Sequence, residues 1–288
     1  MRTLSLGHSP DADDLFMYYA IKFGWVSNPE IHFQSSALDI ETLNIKALGG
    51  ELDISAISFG VYPLLAQEQC LLRTGVSFGV GYGPKLIKLK GKRLRKNFRV
   101  ALSGTHTTNA MLFKIAYPEA RIVYKNFLEI ENAVLQGEVD AGVLIHESIL
   151  TFNERLEVER EIWEIWHTLN GNANLPLPLG GMCLRRSIPL NVAIMCEELL
   201  TKAVKVALEN KPLLSSMLQE RNLIRVDSKQ LETYLNLYAN GDSISLSEKQ
   251  LEAINALFKI GYDHKIYSQI LEVKDCLIPI DYKEFRNS

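Results

Sequence analysis

The stretch Val139-Asp140-Ala141-Gly142-Val143-Leu144-Ile145 is nearly all apolar and ends on His146-Glu147-Ser148. Such a run reads as a strand covered on both faces, which belongs to a parallel sheet flanked by helices. The surrounding sequence agrees. Thr3–His8, Ile31–Ser35 and Leu52–Ser58 read as strands, with helices expected over Leu15–Phe23 and Ile40–Leu48 and a short one through Tyr62 and Leu65. Asp11 or Asp13 can cap the first helix and Asp39 the second, each accepting from free N–H groups. The alternation resumes with strands at Phe98–Leu102, Ala120–Tyr124 and Val139–Ile145 and helices at Asn109–Tyr117 and Phe127–Gln136. Strand–helix–strand units of this spacing pair in parallel through right-handed crossovers.

After Leu175-Pro176-Leu177-Pro178-Leu179-Gly180-Gly181 the pattern turns helical, with helices from Asn191 to Glu209, Ser228 to Ala239 and Ser247 to Phe258. A chain of 288 residues exceeds one typical domain. We expect an α/β fold of two lobes around a central cleft: residues 1–96 with 180–288 form one, discontinuous lobe, and 97–179 the other. Two linkers, near Gly79–Lys96 and Pro176–Arg185, confine relative motion to a hinge and put a ligand between the lobes.

Composition excludes several classes. A net charge of −3 offers no field for nucleic acid. The basic stretch from Lys85 to Arg99 reads as a solvated loop or edge, lacking aromatics other than Phe98 to stack on bases. Cys70, Cys183, Cys196 and Cys276 form no CxxC pair and read as buried thiols. The N-terminus has no apolar leader, and no apolar run reaches the length of a membrane span, so a cytoplasmic protein is expected.

Three turns that follow expected strands carry small polar residues: His8-Ser9-Pro10-Asp11, Ile57-Ser58-Phe59-Gly60 and Gly104-Thr105-His106-Thr107-Thr108-Asn109. Each alone reads as helix capping; three facing one cleft form a pocket for a carboxylate or oxyanion. His146 stands at the C-terminal end of a buried strand, where open α/β sheets place their chemistry, and imidazole exchanges protons near neutrality. A plain strand-end histidine is the competing reading. Glu147 is expected to face solvent, His106 to cap or lie at the surface, and His8 to line the cleft. Gly75-Val76-Ser77-Phe78-Gly79 matches GxSxG, but the glycine-rich run after it cannot begin the helix that a nucleophile elbow needs. The same run is no phosphate loop, and Asp11, Asp13 and Asp14 lack the glycine and glutamate of a calcium loop. Tyr18, Tyr19, Phe59, Tyr62, Trp163 and Trp166 could pack a planar ligand, although their helical spacing favours the core.

Together these motifs resemble the 1,4-dihydroxy-6-naphthoate synthase family of the futalosine menaquinone route. The resemblance rests on Ser9-Pro10 with Asp14, on Asp39-Ile40-Glu41-Thr42-Leu43-Asn44, on Gly104 to Thr108, and on Gln136 to Gly142. It rests above all on Ile145-His146-Glu147-Ser148 paired with Leu175 to Gly180. It implies a fold like type-2 periplasmic binding proteins and a lyase that turns cyclic dehypoxanthinyl futalosine into 1,4-dihydroxy-6-naphthoate, releasing dihydroxyacetone. It implies His146 as the base, substrate contacts at Ala56, Ile57 and Ser58 and at Thr107, Thr108 and Asn109, and a site extending to Ser9 and Asn44. No cofactor or metal is implied. The expected ligand is a small anion, with no nucleic acid or membrane partner and a homodimer left open. Two departures stand out: the family's Ser-Pro-Cys-Pro-Asn-Asp opening is here Ser9-Pro10-Asp11-Ala12-Asp13-Asp14, and Ala56 stands where a lysine can precede the Ser58 turn. The first argues against a direct catalytic role for that loop. Chorismate dehydratase and a non-catalytic solute-binding protein are the rival readings.

Overall fold

The computed structural model describes residues 1–279, so residues 280–288 of the expected first lobe lie outside it. Its first strand, β1 (Arg2–His8), buries Leu4 and Leu6 and runs parallel to β2 (Ile31–Ala37) on one side and β3 (Ile54–Ser58) on the other. Every residue of β3 is buried, as a strand with neighbours on both sides and helices on its faces must be. Two short strands, β4 (Gln69–Leu71) and β5 (Ser77–Gly79), complete this part of the chain.

The chain then crosses to a second sheet, built from β6 (Lys85–Leu89), β7 (Arg99–Leu102), β8 (Arg121–Tyr124), β9 (Ala141–Leu144) and β10 (Leu156–Glu161) in the order β10-β6-β9-β7-β8. It returns as β11 (Leu177–Arg185), which lies antiparallel between β3 and β4 and also pairs with β5. The first sheet therefore reads β2-β1-β3-β11-β4, with β5 beside β11.

Two expectations are corrected here. Lys85–Leu89 is a strand inside the second sheet, not a solvated loop: Leu86 and Ile87 are buried, while Lys88 pairs with Glu157 and Glu159 of β10. The lysines masked a strand whose charges are met by acids on its partner. The expected linker at Pro176–Arg185 is likewise a strand. Pro178 is accommodated because the ladder with β5 shifts register between Pro178 and Gly180.

The C-terminal part is helical, over Leu190–Glu209, Lys211–Glu220, Ser228–Tyr238 and Glu248–Asp263. Ser228–Tyr238 opens with a capping box, Asp227 accepting from the Gln230 N–H at 2.8 Å. All four cysteines are buried and free. Among the described residues no helix is long and apolar enough to cross a membrane.

The lobes meet closely at Gly60. Its N–H donates to the Thr108 hydroxyl at 2.9 Å, and a Cβ there would lie 2.9 Å from the Thr108 Cα, so only glycine permits this approach.

Candidate active site

A cleft enclosing about 770 Å³, part of it open to solvent, separates the two sheets. Ser9, Ala56, Ile57, Ser58, Thr107, Thr108, Asn109 and His146 all line it. They come together because β1, β3 and β9 end on the same crevice, as strands of open α/β sheets do. Asn44 is not on the wall. It lies fully buried behind Ser58, donating to the Ser58 hydroxyl at 3.1 Å and accepting from the Ser58 N–H at 2.9 Å.

His146 follows β9 in the left-handed region, with φ +54°. That turn swings the ring out of the strand direction, and histidine tolerates it better than bulky residues do. Nδ1 lies 2.9 Å from Asp11 Oδ2, and Nε2 is buried with no hydrogen-bond partner among the described residues. Burial pulls the imidazole pKa down, but the Asp11 carboxylate outweighs it, and with Glu147 and Asp13 nearby the ring is held up at about 9. Asp11 is pushed up by burial and drawn below its usual value by His146, Ser9 and Arg225.

Asp11 thus has a different role from the one expected. Its backbone is the N-cap of the Ala12–Lys22 helix, but its side chain makes no cap hydrogen bond. The carboxylate instead accepts from the Ser9 hydroxyl, faces His146, and pairs with Arg225 Nη2 at 3.2 Å. Glu147 supplies the cap from a distance: buried, not exposed as expected, it accepts from the Ala12 N–H at 2.9 Å. A helix N-terminus needs an acceptor, and the acid beside His146 provides it.

Asp13 and Asp14 also line the cleft. Burial and then its acidic neighbours Asp14 and Asp11 push Asp13 up to about 8. Burial pushes Asp14 up to about 6, against the Ser9 N–H that donates to it at 2.7 Å. One wall of the cleft therefore holds protons near neutrality.

The opposite wall is the N-terminus of the Thr108–Ala116 helix. Thr107 is its N-cap, accepting from the Ala110 N–H at 3.2 Å and bonding the Asn109 side chain. The Thr108 hydroxyl is engaged already, donating to the Leu179 carbonyl at 3.0 Å while receiving from Gly60. Its work is to join the lobes.

Most of the remaining candidates fall elsewhere. His106 sits outside the cleft with Nδ1 2.7 Å from Glu41 Oε1. His8 is buried and stacked on Tyr18 at 4.8 Å, donor or acceptor to the Ser9 carbonyl, and borders a small apolar pocket behind Asp14 and Gly75. Burial lowers its pKa. Ser77 of the GxSxG pattern does line the cleft, but it lies in β5 and starts no helix. Tyr18, Tyr19, Phe59, Tyr62 and Trp166 are core, and the aromatic wall is made by Tyr234 and Tyr238 of the C-terminal part. Tyr234 donates to Asp13 at 3.2 Å. Arg225, Tyr234 and Tyr238 carry no motif. The one signal for the tyrosines is their spacing of four, which puts both on one helix face.

Residues 4–263 match the family described as Menaquinone biosynthesis. A protein of Thermus thermophilus named 1,4-dihydroxy-6-naphtoate synthase is 29% identical over 267 residues, covering 90% of this chain and 93% of that one. Its namesake from Streptomyces coelicolor is 28% identical over 266 residues, covering 88% and 91%. A crystal structure of a protein from Archaeoglobus fulgidus is similar with a TM-score of 0.82 at 31% identity, covering 92% of this chain and 98% of that one. The ligand-binding component of an ABC-type import system from Staphylococcus aureus shares the fold at 10% identity, with a TM-score of 0.71 and 99% of each chain covered. The fold is that of periplasmic binding proteins, two sheets flanked by helices, as the motifs implied.

Proposed function

The chain belongs to the menaquinone biosynthesis family, and from that membership we propose that it is a carbon–carbon lyase converting cyclic dehypoxanthinyl futalosine into 1,4-dihydroxy-6-naphthoate and dihydroxyacetone. The observation that carries this reading is the Asp11–His146 pair on the cleft, with Nε2 of the ring left unbonded. Asp11 fixes Nδ1 as the protonated nitrogen, so Nε2, buried and without a partner among the described residues, is the nitrogen left to take a substrate hydroxyl proton. As that O–H bond breaks, the oxygen electrons form a carbonyl and the adjacent C–C bond opens. Its electron pair passes into the departing three-carbon unit, a proton returned to that carbon completes the balance, and the new ring carbonyl enolises as the ring system becomes aromatic.

The substrate carboxylate is assigned to the wall opposite the acids. The amides of Thr108 and Asn109, ahead of the capped Ala110 N–H, and the Ser58 hydroxyl held by Asn44 are its donors. Tyr234 and Tyr238 flank the planar rings. With this reading go a cytoplasmic enzyme, no cofactor, and a small anion as ligand.

The test is to incubate the pure protein separately with the cyclic futalosine derivative and with chorismate and to identify the products. Formation of 1,4-dihydroxy-6-naphthoate from the first supports the reading. Turnover of chorismate alone would assign the chain to chorismate dehydration, and binding of either without turnover would make it a solute-binding protein.

A further inference from the structure

Arg225 lies between the Lys211–Glu220 and Ser228–Tyr238 helices, in a part of the chain without recognisable motif. Three contacts single it out. Its Nη2 is 3.2 Å from Asp11 Oδ1 and 3.3 Å from the Pro10 carbonyl, and its guanidinium carbon lies over the Phe127 ring, 5.1 Å from the centroid. Phe127 in turn meets the His146 ring at 5.1 Å, edge to face. Asp11 and Pro10 come from the first-sheet polypeptide, Phe127 and His146 from the second. The same guanidinium therefore reaches both members of the Asp11–His146 pair, the acid directly and the imidazole through one aromatic ring.

We propose that Arg225 is a positioning residue for His146, clamping Asp11 by an ion pair and Phe127 by its ring face so that the imidazole is fixed across the two lobes. The chemistry suits arginine in particular. A planar guanidinium can donate sideways to a carboxylate and a carbonyl while its flat face covers an aromatic ring; an ammonium supplies the charge without the plane. Asp11 has two oxygens and divides them, Oδ2 toward His146 and Oδ1 toward Arg225. The clamp is reinforced nearby, where Gln230 donates to the Thr151 hydroxyl at 3.1 Å and so ties the same tail to the second-sheet polypeptide.

Two consequences follow for the ring. Arg225 offsets part of the Asp11 charge that His146 feels, whereas the other groups near the ring, Glu147, Asp13 and Asp14, are acids. It also limits how far Phe127, and hence the ring edge, can tilt.

The proposal deepens the reading of the site given above, and its test has an arm that needs no substrate. Side-chain NMR of the imidazole in the resting protein would follow the His146 titration in the native chain, Arg225→Met and Arg225→Lys. Removing the positive charge leaves Asp11 wholly to the imidazolium, so the midpoint in Arg225→Met should move up by roughly half a pH unit or more. Arg225→Lys should stay near the native midpoint while the ring signals broaden or shift, because the charge remains and the plane is lost. In the kinetic arm, both variants should lose kcat by about tenfold with KM changed less than about threefold. Phe127→Leu, which leaves the ion pair alone, should lose kcat in the same manner, and it stands in if Arg225→Met fails to fold. An unmoved His146 midpoint in Arg225→Met overturns the proposal whatever the reaction is. A rise in KM without a fall in kcat also overturns it, since Arg225 would then be a substrate contact. Absence of turnover in the native chain would instead count against the lyase reading and leave the titration result standing.

Discussion

Glu147 Oε1 and the Ala12 N–H meet at 2.9 Å, so the residue next to His146 terminates a helix that begins 135 positions earlier in the chain. The bond crosses from the second sheet to the first and is buried. It ties the turn carrying the imidazole to the turn carrying Asp11.

Glu147→Ala should therefore act on stability and on the site at once. Loss of the cap leaves the Ala12 N–H buried without an acceptor, at a cost of about 1–2 kcal/mol. Thermal unfolding should fall by several degrees, and the Asp11–His146 pair should loosen with it. Glu147→Gln keeps an acceptor and should recover most of the loss; equal melting of the two variants would show that the charge, not the acceptor, matters.

His146→Ala should lose kcat by about 100-fold or more with the fold intact by circular dichroism. Near-normal turnover would remove the ring from its proposed role. In the native protein the ring must shed a proton before it can take one, and its pKa is held at about 9. Catalysis should accordingly rise with pH through the neutral range and level off near that value. Asp11→Asn should bring this limb to lower pH, because the charge that raises the imidazole is gone, while lowering the plateau through lost alignment.

Stability should run the other way. The folded pKa of His146 lies above its ordinary 6.5, so its contribution is complete below that value and disappears as pH rises through about 9. Asp13 and Asp14 are raised to about 8 and about 6, so the unfolded chain ionises first and folding loses ground as pH climbs from the ordinary carboxylate range to those values. All three groups point to a protein that melts lower at pH 9 than at pH 6. Asp13→Asn, which cannot ionise, should raise the melting temperature more at pH 8 than at pH 5; the reverse order would contradict the assignment.

Asn44→Ala should leave the Ser58 N–H and hydroxyl without their buried partner. A destabilisation of about 1–3 kcal/mol is expected, with a raised KM if Ser58 holds the carboxylate. Isothermal unfolding in urea and initial-rate kinetics would separate the two effects.

Much of this was legible in the order of residues. The apolar run before His146, the polar turns at Ser9, Ser58 and Thr107, and the strand–helix alternation all follow from local periodicity and capping chemistry, and these elements are where they were expected. Lys85–Leu89 and Leu156–Glu161 were hidden for one reason: their charges make sense only in pairs, and the sequence shows each strand without its partner. The partners of Asp11 were equally out of sight. A carboxylate at the start of a helix reads as a cap, and nothing local says that a histidine 135 positions on and an arginine still further away will claim it. Tyr234 and Tyr238 belong to the same case, since a helix face reveals that it is apolar without revealing what it covers.

The left-handed backbone at His146 sets the terms on which this protein could be hardened. Glycine adopts that conformation freely, whereas an L side chain does so at a cost of order 1 kcal/mol. A selection for heat resistance alone would thus favour the very replacement that empties the cleft of its imidazole. Position 146 is a place where durability and turnover draw on opposite substitutions, and the histidine found there records which of the two was kept.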